Sequence, residues 1–211
     1  MFIDYTYYYF KNVIPKHICD QIIKYAFSLN KPTPGLIGEP HKPKKLVRKK
    51  RLKEIKKVRD SDVIFLDVPW MSKEFLPFAY EANAKANWNF DILRFEKPQF
   101  TIYNKNQHYN WHQDNNLKDN EMKYAKGFIR KLSMSIVLSE PEDYKGGDLQ
   151  FDTRNSIPQK PGEKSKVITA KEALGKGTVI VFPSFVWHRV TPVLKGTRYS
   201  LVVWFTGPPF K

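Results

Sequence analysis

A chain of 211 residues with 41% hydrophobic and 15% aromatic residues carries enough apolar side chain for a packed core, which excludes a disordered chain and fits a single domain. It has no run of roughly 18 apolar residues, no signal-like start at Met1–Tyr7 and one cysteine, Cys19. These features exclude a spanning helix and an internal disulfide framework, and predict a cytoplasmic protein without a membrane partner. The net charge of +15 favours acidic partners through electrostatic steering.

The first part of the chain reads as helical support. Tyr5 to Phe10 is a short aromatic edge strand, and Ile18, Ile22, Tyr25 and Ala26 recur at helical spacing over Lys16 to Ser28, giving one apolar face. Cys19 falls inside that helix as a small core residue. Four prolines between Lys31 and Pro43 mark a loop. From Lys42 to Arg59 there are eleven Lys or Arg and one acid, Glu54; this basic insertion is predicted to be solvated, with a short amphipathic helix at best on Leu52, Ile55 and Val58. Asp62 to Val68 reads as a strand. Ser72 is placed as the N-cap of a helix from Lys73 to about Asn87, with Pro77 near its first turn.

From residue 90 strands dominate. The candidates are Phe90–Glu96, Gln99–Tyr103, His108–Gln113, Lys131–Leu138, Asp148–Phe151, Thr178–Phe182, Trp187–Thr191 and Thr197–Phe205, with turns at Gly146-Gly147, Gly175-Lys176-Gly177 and Pro183-Ser184. Short strands following helices predict a mainly β fold of the α+β kind, a jelly roll with N-terminal supporting helices. In this reading residues 1–89 support a core over 90–211, and two polar loops, 116–126 and 153–172, are natural lids.

Within that core, His112 and Asp114 in Tyr109-Asn110-Trp111-His112-Gln113-Asp114-Asn115 stand two residues apart. On an extended strand both side chains leave one face. His188, 76 residues downstream, supplies a second imidazole. Two imidazoles and one carboxylate with open positions form the donor set of non-haem Fe(II) oxygenases. Ten residues further on, Arg198 opens an apolar strand, where a guanidinium is costly unless it meets an anion such as a carboxylate. Ser200 and Trp204 share its face by the two-residue period. His17, His41 and His108 have no place in this set and are predicted to be surface or loop residues.

These residues, from about Phe100 to Phe205, resemble the 2-oxoglutarate- and Fe(II)-dependent oxygenases of the prolyl 4-hydroxylase-like class, in a pattern similar to PKHD-type hydroxylases. The motifs are Tyr103, Tyr109-x-x-His112-x-Asp114-Asn115, Gly146-Gly147-Asp148-Leu149, His188-Arg189-Val190-x-Pro192 and Arg198-Tyr199 followed by Trp204. The resemblance implies a double-stranded β-helix, the form of jelly roll in which this class is built. It implies that His112, Asp114 and His188 bind iron, and that Arg198 and Tyr103 hold the distal carboxylate of 2-oxoglutarate. Ser135 and Leu149 fall where the family lines that pocket, although Leu149 equally fits plain core. Arg130 matches an arginine beside the substrate channel of the animal oxygen-sensing prolyl hydroxylases, or is surface charge.

The implied cofactor set is Fe(II), 2-oxoglutarate and O2, with ascorbate as an accessory reductant. The implied reaction hydroxylates a C–H bond, foremost at a prolyl residue of a protein or peptide, with release of succinate and CO2. The basic charge suits an acidic or nucleic-acid-associated substrate, and direct nucleic-acid binding stays open. Two alternatives remain beside this reading. A nucleic-acid demethylase on the same scaffold would carry a second arginine six residues beyond the first, where this chain has Trp204. A non-catalytic or zinc-binding jelly roll would use the same three donors but gives no reason for Arg198 or Tyr103.

Overall fold

The computed structural model describes residues 2–29, 31–35, 49–115, 127–156 and 164–210. In chain order the first elements are β1 (Tyr8–Phe10), α1 (Lys16–Leu29), β2 (Thr33–Pro34), α2 (Lys49–Val58), β3 (Arg59–Asp60), β4 (Asp62–Phe65) and α3 (Pro69–Lys85). Next come β5 (Arg94–Phe95), β6 (Gln99–Tyr103), β7 (His108–His112), β8 (Ile129–Val137), β9 (Tyr144–Gly146) and β10 (Leu149–Asp152). The last are β11 (Val167–Thr169), β12 (Val179–Pro183), β13 (His188–Val190), β14 (Val193–Gly196) and β15 (Arg198–Gly207).

An eight-stranded sheet runs β1-β12-β8-β15-β6-β4-β2 with β5 beside β15, and a five-stranded sheet runs β11-β10-β13-β7-β3. The pair β14-β9 stands apart. All pairings of these strands are antiparallel. The result is the mainly β jelly roll that the strand pattern predicts, in the double-stranded β-helix form that the resemblance implies.

The alternation along β15 divides the core. Tyr199 faces outward from the roll: its ring stacks on Phe100 at 5.5 Å, and Phe27 of α1 meets both rings edge-on at 5.9 and 5.6 Å. Leu201, Val203 and Phe205 share that face by the two-residue period and are fully buried. Farther along the sheet, Phe78 of α3 packs edge-on against Phe10 of β1. Helices α1 and α3 therefore buttress the outer face of the large sheet, while α2 contacts β3 and β7 of the smaller one, and Arg198, Ser200 and Trp204 are left for the inner face. The two sheets meet across Phe151 and Phe182, whose rings lie 5.0 Å apart.

Several boundaries differ from the sequence reading. Helix α3 begins at Pro69, a residue suited to a first helical turn because its missing N–H would have no partner there. Val68 rather than Ser72 is its N-cap, and Pro77 falls in its interior. The predicted strand Phe90–Glu96 shrinks to Arg94–Phe95. The Asn83 side chain accepts from Phe90 N at 3.0 Å and donates to Phe90 O at 2.9 Å, while Asn87 and Asn89 adopt left-handed φ values of 56° and 52°. A turn pinned in this way cannot extend into a ladder.

In the basic segment, α2 is a helix of ten residues and Arg59, at its end, is buried; residues 42–48 lie outside the described residues. The predicted loop 116–126 does too, as do 157–163 of the second. The rest of that second loop holds a strand, β11, which pairs with β10.

Candidate metal centre and co-substrate pocket

Strands β7 and β13 set two imidazoles opposite each other, His112 and His188 being register partners with ring centroids 4.1 Å apart. Each imidazole is oriented by its own turn of chain. His112 Nδ1 lies 2.8 Å from Asn110 O and His188 Nδ1 lies 3.0 Å from Val186 O. A ring nitrogen facing a carbonyl must carry the proton, so both Nε2 lone pairs are free to point elsewhere. They point at one carboxylate: His112 Nε2 is 3.7 Å from Asp114 Oδ1, and His188 Nε2 is 3.6 Å from Asp114 Oδ2. One donor atom from each residue lies within 4.8 Å of the other two, a spacing that fits one ion between them.

Asp114 does not reach this position along a strand. Strand β7 ends at His112, and the chain then bends so that Asp114 N and Asn115 N both donate to Ser184 O at 2.9 Å. Ser133 Oγ donates to Asp114 Oδ2 at 2.7 Å and lies 2.9 Å from Ser184 Oγ. Arg130 Nη1 reaches the Asp114 carbonyl at 3.4 Å. Burial pushes the Asp114 carboxyl up, but His188, His112, Arg130 and the Ser133 bond outweigh it and hold the group at about 2. Burial first, and then His188, keep the His112 imidazole well below its ordinary value. An ionised carboxylate beside a neutral imidazole is the protonation state that a divalent metal requires.

Two β-bulges shape the surroundings. His188 pairs with His112 but Val190 pairs with Tyr109, so β7 carries one extra residue there. Tyr109 and His112, three apart, consequently share a face, and their rings stack at 3.4 Å and 10°. The Arg59 guanidinium lies over Tyr109 at 4.6 Å. On β8, Phe205 pairs with Leu132 while Thr206 pairs with Arg130, leaving Lys131 as the extra residue. This swings Arg130 onto the inner face, where it covers Trp204 at 3.9 Å and holds Glu96 through Nε and Nη2 at 2.7 and 2.6 Å. Arg130 is therefore part of the rim beside Asp114 rather than loose surface charge.

The inner face of β15 carries a buried cation. Arg198 is 1% exposed, donates from Nη1 to Ser200 Oγ at 3.3 Å and leaves Nε without an acceptor. No acidic side chain pairs with it among the described residues. Its register partner is Tyr103, whose ring centre lies 5.7 Å from the guanidinium carbon; burial raises the Tyr103 hydroxyl, with Arg59 and Arg198 acting against that rise. Gly147, at φ 65°, packs on the stem of Arg198, where a Cβ would come within 3.0 Å of Cδ. A guanidinium so enclosed calls for an anion of carboxylate size.

The other expected residues fall as follows. Ser135 lies two residues along β8 from Ser133, opposite Val202. Leu149 is buried opposite Val190, and Trp204, opposite Ser133, has an Nε1 without a partner. His108 is a half-buried side chain within reach of the carbonyls of Asn106 and Lys57 and outside the cluster; His17 is exposed, and His41 lies outside the described residues. Cys19 is buried, and burial pushes its thiol up to about 11. Sequence reading misses Ser133, Ser184, Glu96 and Arg59. Ser133 alone carried a signal, since the two-residue period puts it on the face of Ser135.

Residues 98–206 match the family model described as the 2OG-Fe(II) oxygenase superfamily. A PKHD-type hydroxylase of Shewanella baltica is 34% identical over 113 residues, covering 53% of this chain and 43% of that relative. A PKHD-type hydroxylase of Synechococcus is 36% identical over 96 residues, 46% of this chain and 35% of the relative. The chain thus matches less than half the length of these relatives. Among solved structures, the viral collagen prolyl hydroxylase of Paramecium bursaria Chlorella virus-1, in its 2OG complex, superposes with a TM-score of 0.63 at 19% identity, covering 96% of this chain and 97% of that one. A Pseudomonas putida prolyl-4-hydroxylase follows with 0.58 at 16% identity, covering 95% and 91%. A Trichoplax adhaerens prolyl hydroxylase bound to a hypoxia inducible factor peptide fragment gives 0.60 at 14% identity, covering 95% and 83%.

Proposed function

Because this chain belongs to the 2OG-Fe(II) oxygenase superfamily, we propose that it hydroxylates a C–H bond of a protein or peptide, foremost at proline. The observation that carries this reading is the pairing of a convergent His112–Asp114–His188 cluster with a buried Arg198 that meets no acidic side chain, and whose Nε meets no acceptor, among the described residues. In this reading the three donors hold Fe(II), and Arg198, Tyr103 and Ser200 receive the distal carboxylate of 2-oxoglutarate. Ser135 and Leu149 line the pocket wall, and Arg130 and Trp204 form the rim that meets substrate. When bound, iron and 2-oxoglutarate supply the oxidising chemistry, in which O2 is consumed, 2-oxoglutarate becomes succinate and CO2, and a C–H bond becomes C–OH.

The chain's own residues position and shield. The carbonyls of Asn110 and Val186 fix the imidazole orientations, Ser133 and Ser184 fix the carboxylate, and the two sheets exclude water from the pocket. A peptide substrate is supported by the neighbouring structures, which are prolyl hydroxylases by name, one of them holding a peptide. One oxygenase domain over 1–211 is supported by the superposition with the viral enzyme over 96% of the chain. Trp204, stacked under Arg130, occupies the place where a nucleic-acid demethylase would need a second arginine.

Anaerobic addition of Fe(II) and 2-oxoglutarate is expected to give a visible charge-transfer band that His112→Ala abolishes; a wild-type protein without the band sinks the oxygenase reading. Incubation with proline-containing peptides and O2 is then expected to add the mass of one oxygen atom, read by mass spectrometry.

A further inference from the structure

We propose that the Tyr144 hydroxyl is an additional anchor, beside Arg198, for the distal carboxylate of the co-substrate. The inference rests on the reading of Arg198 given above. Tyr144 is 5% exposed, and its hydroxyl has no hydrogen-bond partner among the described residues. Arg198 Nε shares that condition. Buried polar groups are seldom left unpaired, and two of them belong to side chains that both pack on Gly147. A Cβ built on Gly147 would lie 3.0 Å from Arg198 Cδ and 3.7 Å from Tyr144 Cε2, the ring carbon next to the one that bears the hydroxyl.

Strand pairing explains the proximity. Tyr144 is the register partner of Gly196 on β14, two residues before Arg198, and Gly147, having no side chain, lets the Arg198 stem, Val193 and the Tyr144 ring all approach it.

The chemistry of the missing partner follows from the groups present. A guanidinium Nε–H only donates, and a phenol beside it is best used as a donor. Ser200 Oγ already takes one guanidinium N–H. What is lacking is an acceptor of negative charge with more than one lone pair, and a carboxylate accepts from both donors at once. The remaining orphans, Asn155 Oδ1 and Trp204 Nε1, belong elsewhere: Asn155 adjoins Ser156, which bridges to Ile3, and Trp204 lies under Arg130.

The test compares Tyr144→Phe with wild type in anaerobic titrations of the Fe(II) protein, using 2-oxoglutarate and 2-oxovalerate, which has a methyl group where the distal carboxylate would be. Loss of a hydrogen bond to a charged group is expected to weaken 2-oxoglutarate about ten-fold and to leave 2-oxovalerate within about two-fold. Equal affinity of variant and wild type for 2-oxoglutarate, or equal weakening of both ligands, overturns the assignment. Thermal unfolding confirms that the variant is folded. A wild type that binds neither ligand defeats the broader oxygenase reading instead, so the two failures are distinguishable.

Discussion

Asp114 sits where no strand holds it, so its aim depends on individual hydrogen bonds. Ser133 Oγ supplies the only side-chain hydroxyl bond to its carboxylate among the described residues, at 2.7 Å, and that bond is one of the influences that keep the group ionised. Partners of metal ligands commonly tune affinity ten- to hundred-fold. Ser133→Ala is therefore expected to weaken metal binding about ten-fold with little change in fold, as read by Co(II) or Mn(II) titration. An unchanged dissociation constant would mean that the backbone contacts of Asp114, to Ser184 O and Arg130 Nη1, suffice to position it. Protonation acts in the same direction as this substitution. Since Asp114 and His112 both titrate below their ordinary values in the folded chain, their contributions to stability are complete above the unfolded values, about 4 and 6.5. Those contributions are lost as pH falls through the folded ones.

At the scale of elements, the division of each strand of the large sheet into a helix-facing and an interior row allows fold and site to be perturbed separately. Phe100 belongs to the outer row, fully buried between Phe27 of α1 and Tyr199. Phe100→Ala is expected to cost about 3–5 kcal/mol in urea unfolding while the folded protein keeps its metal affinity. A cost below about 1 kcal/mol would show that α1 is not anchored there. The same two-residue alternation is what makes the sequence readable: it places Arg198, Ser200 and Trp204 on one face from the residue spacing alone. It fails where a strand carries an extra residue. Alternation sends Tyr109 and His112 to opposite faces and Arg130 to the face of Leu132, and the bulges in β7 and β8 reverse both assignments. A bulge is a property of two paired strands, so neither strand alone announces it. Long-range bonds are hidden for the same reason: nothing near Ser184 in sequence points to Asp114, and nothing near Glu96 points to Arg130.

For the whole molecule, the proposed role of Arg198 sets stability against binding. The chain carries a net +15, and its most enclosed charge, Arg198, has no counter-ion among the described residues. An unpaired buried cation opposes folding, and apolar replacement of buried charge is often neutral or stabilising by about 1–4 kcal/mol. Arg198→Met keeps the stem that packs on Gly147 and removes only the charged end. The metal-loaded variant without co-substrate is expected to unfold at the same temperature as wild type or higher. Wild type should then gain stability on addition of 2-oxoglutarate, by about 2.7 kcal/mol at a hundred times its dissociation constant, and the variant should gain almost none. The two curves thus cross as co-substrate is added, which a residue serving only the core would not produce. If Arg198→Met is instead less stable than wild type in the absence of 2-oxoglutarate, the guanidinium is satisfied within the protein and its role as a vacant anion receptor is refuted.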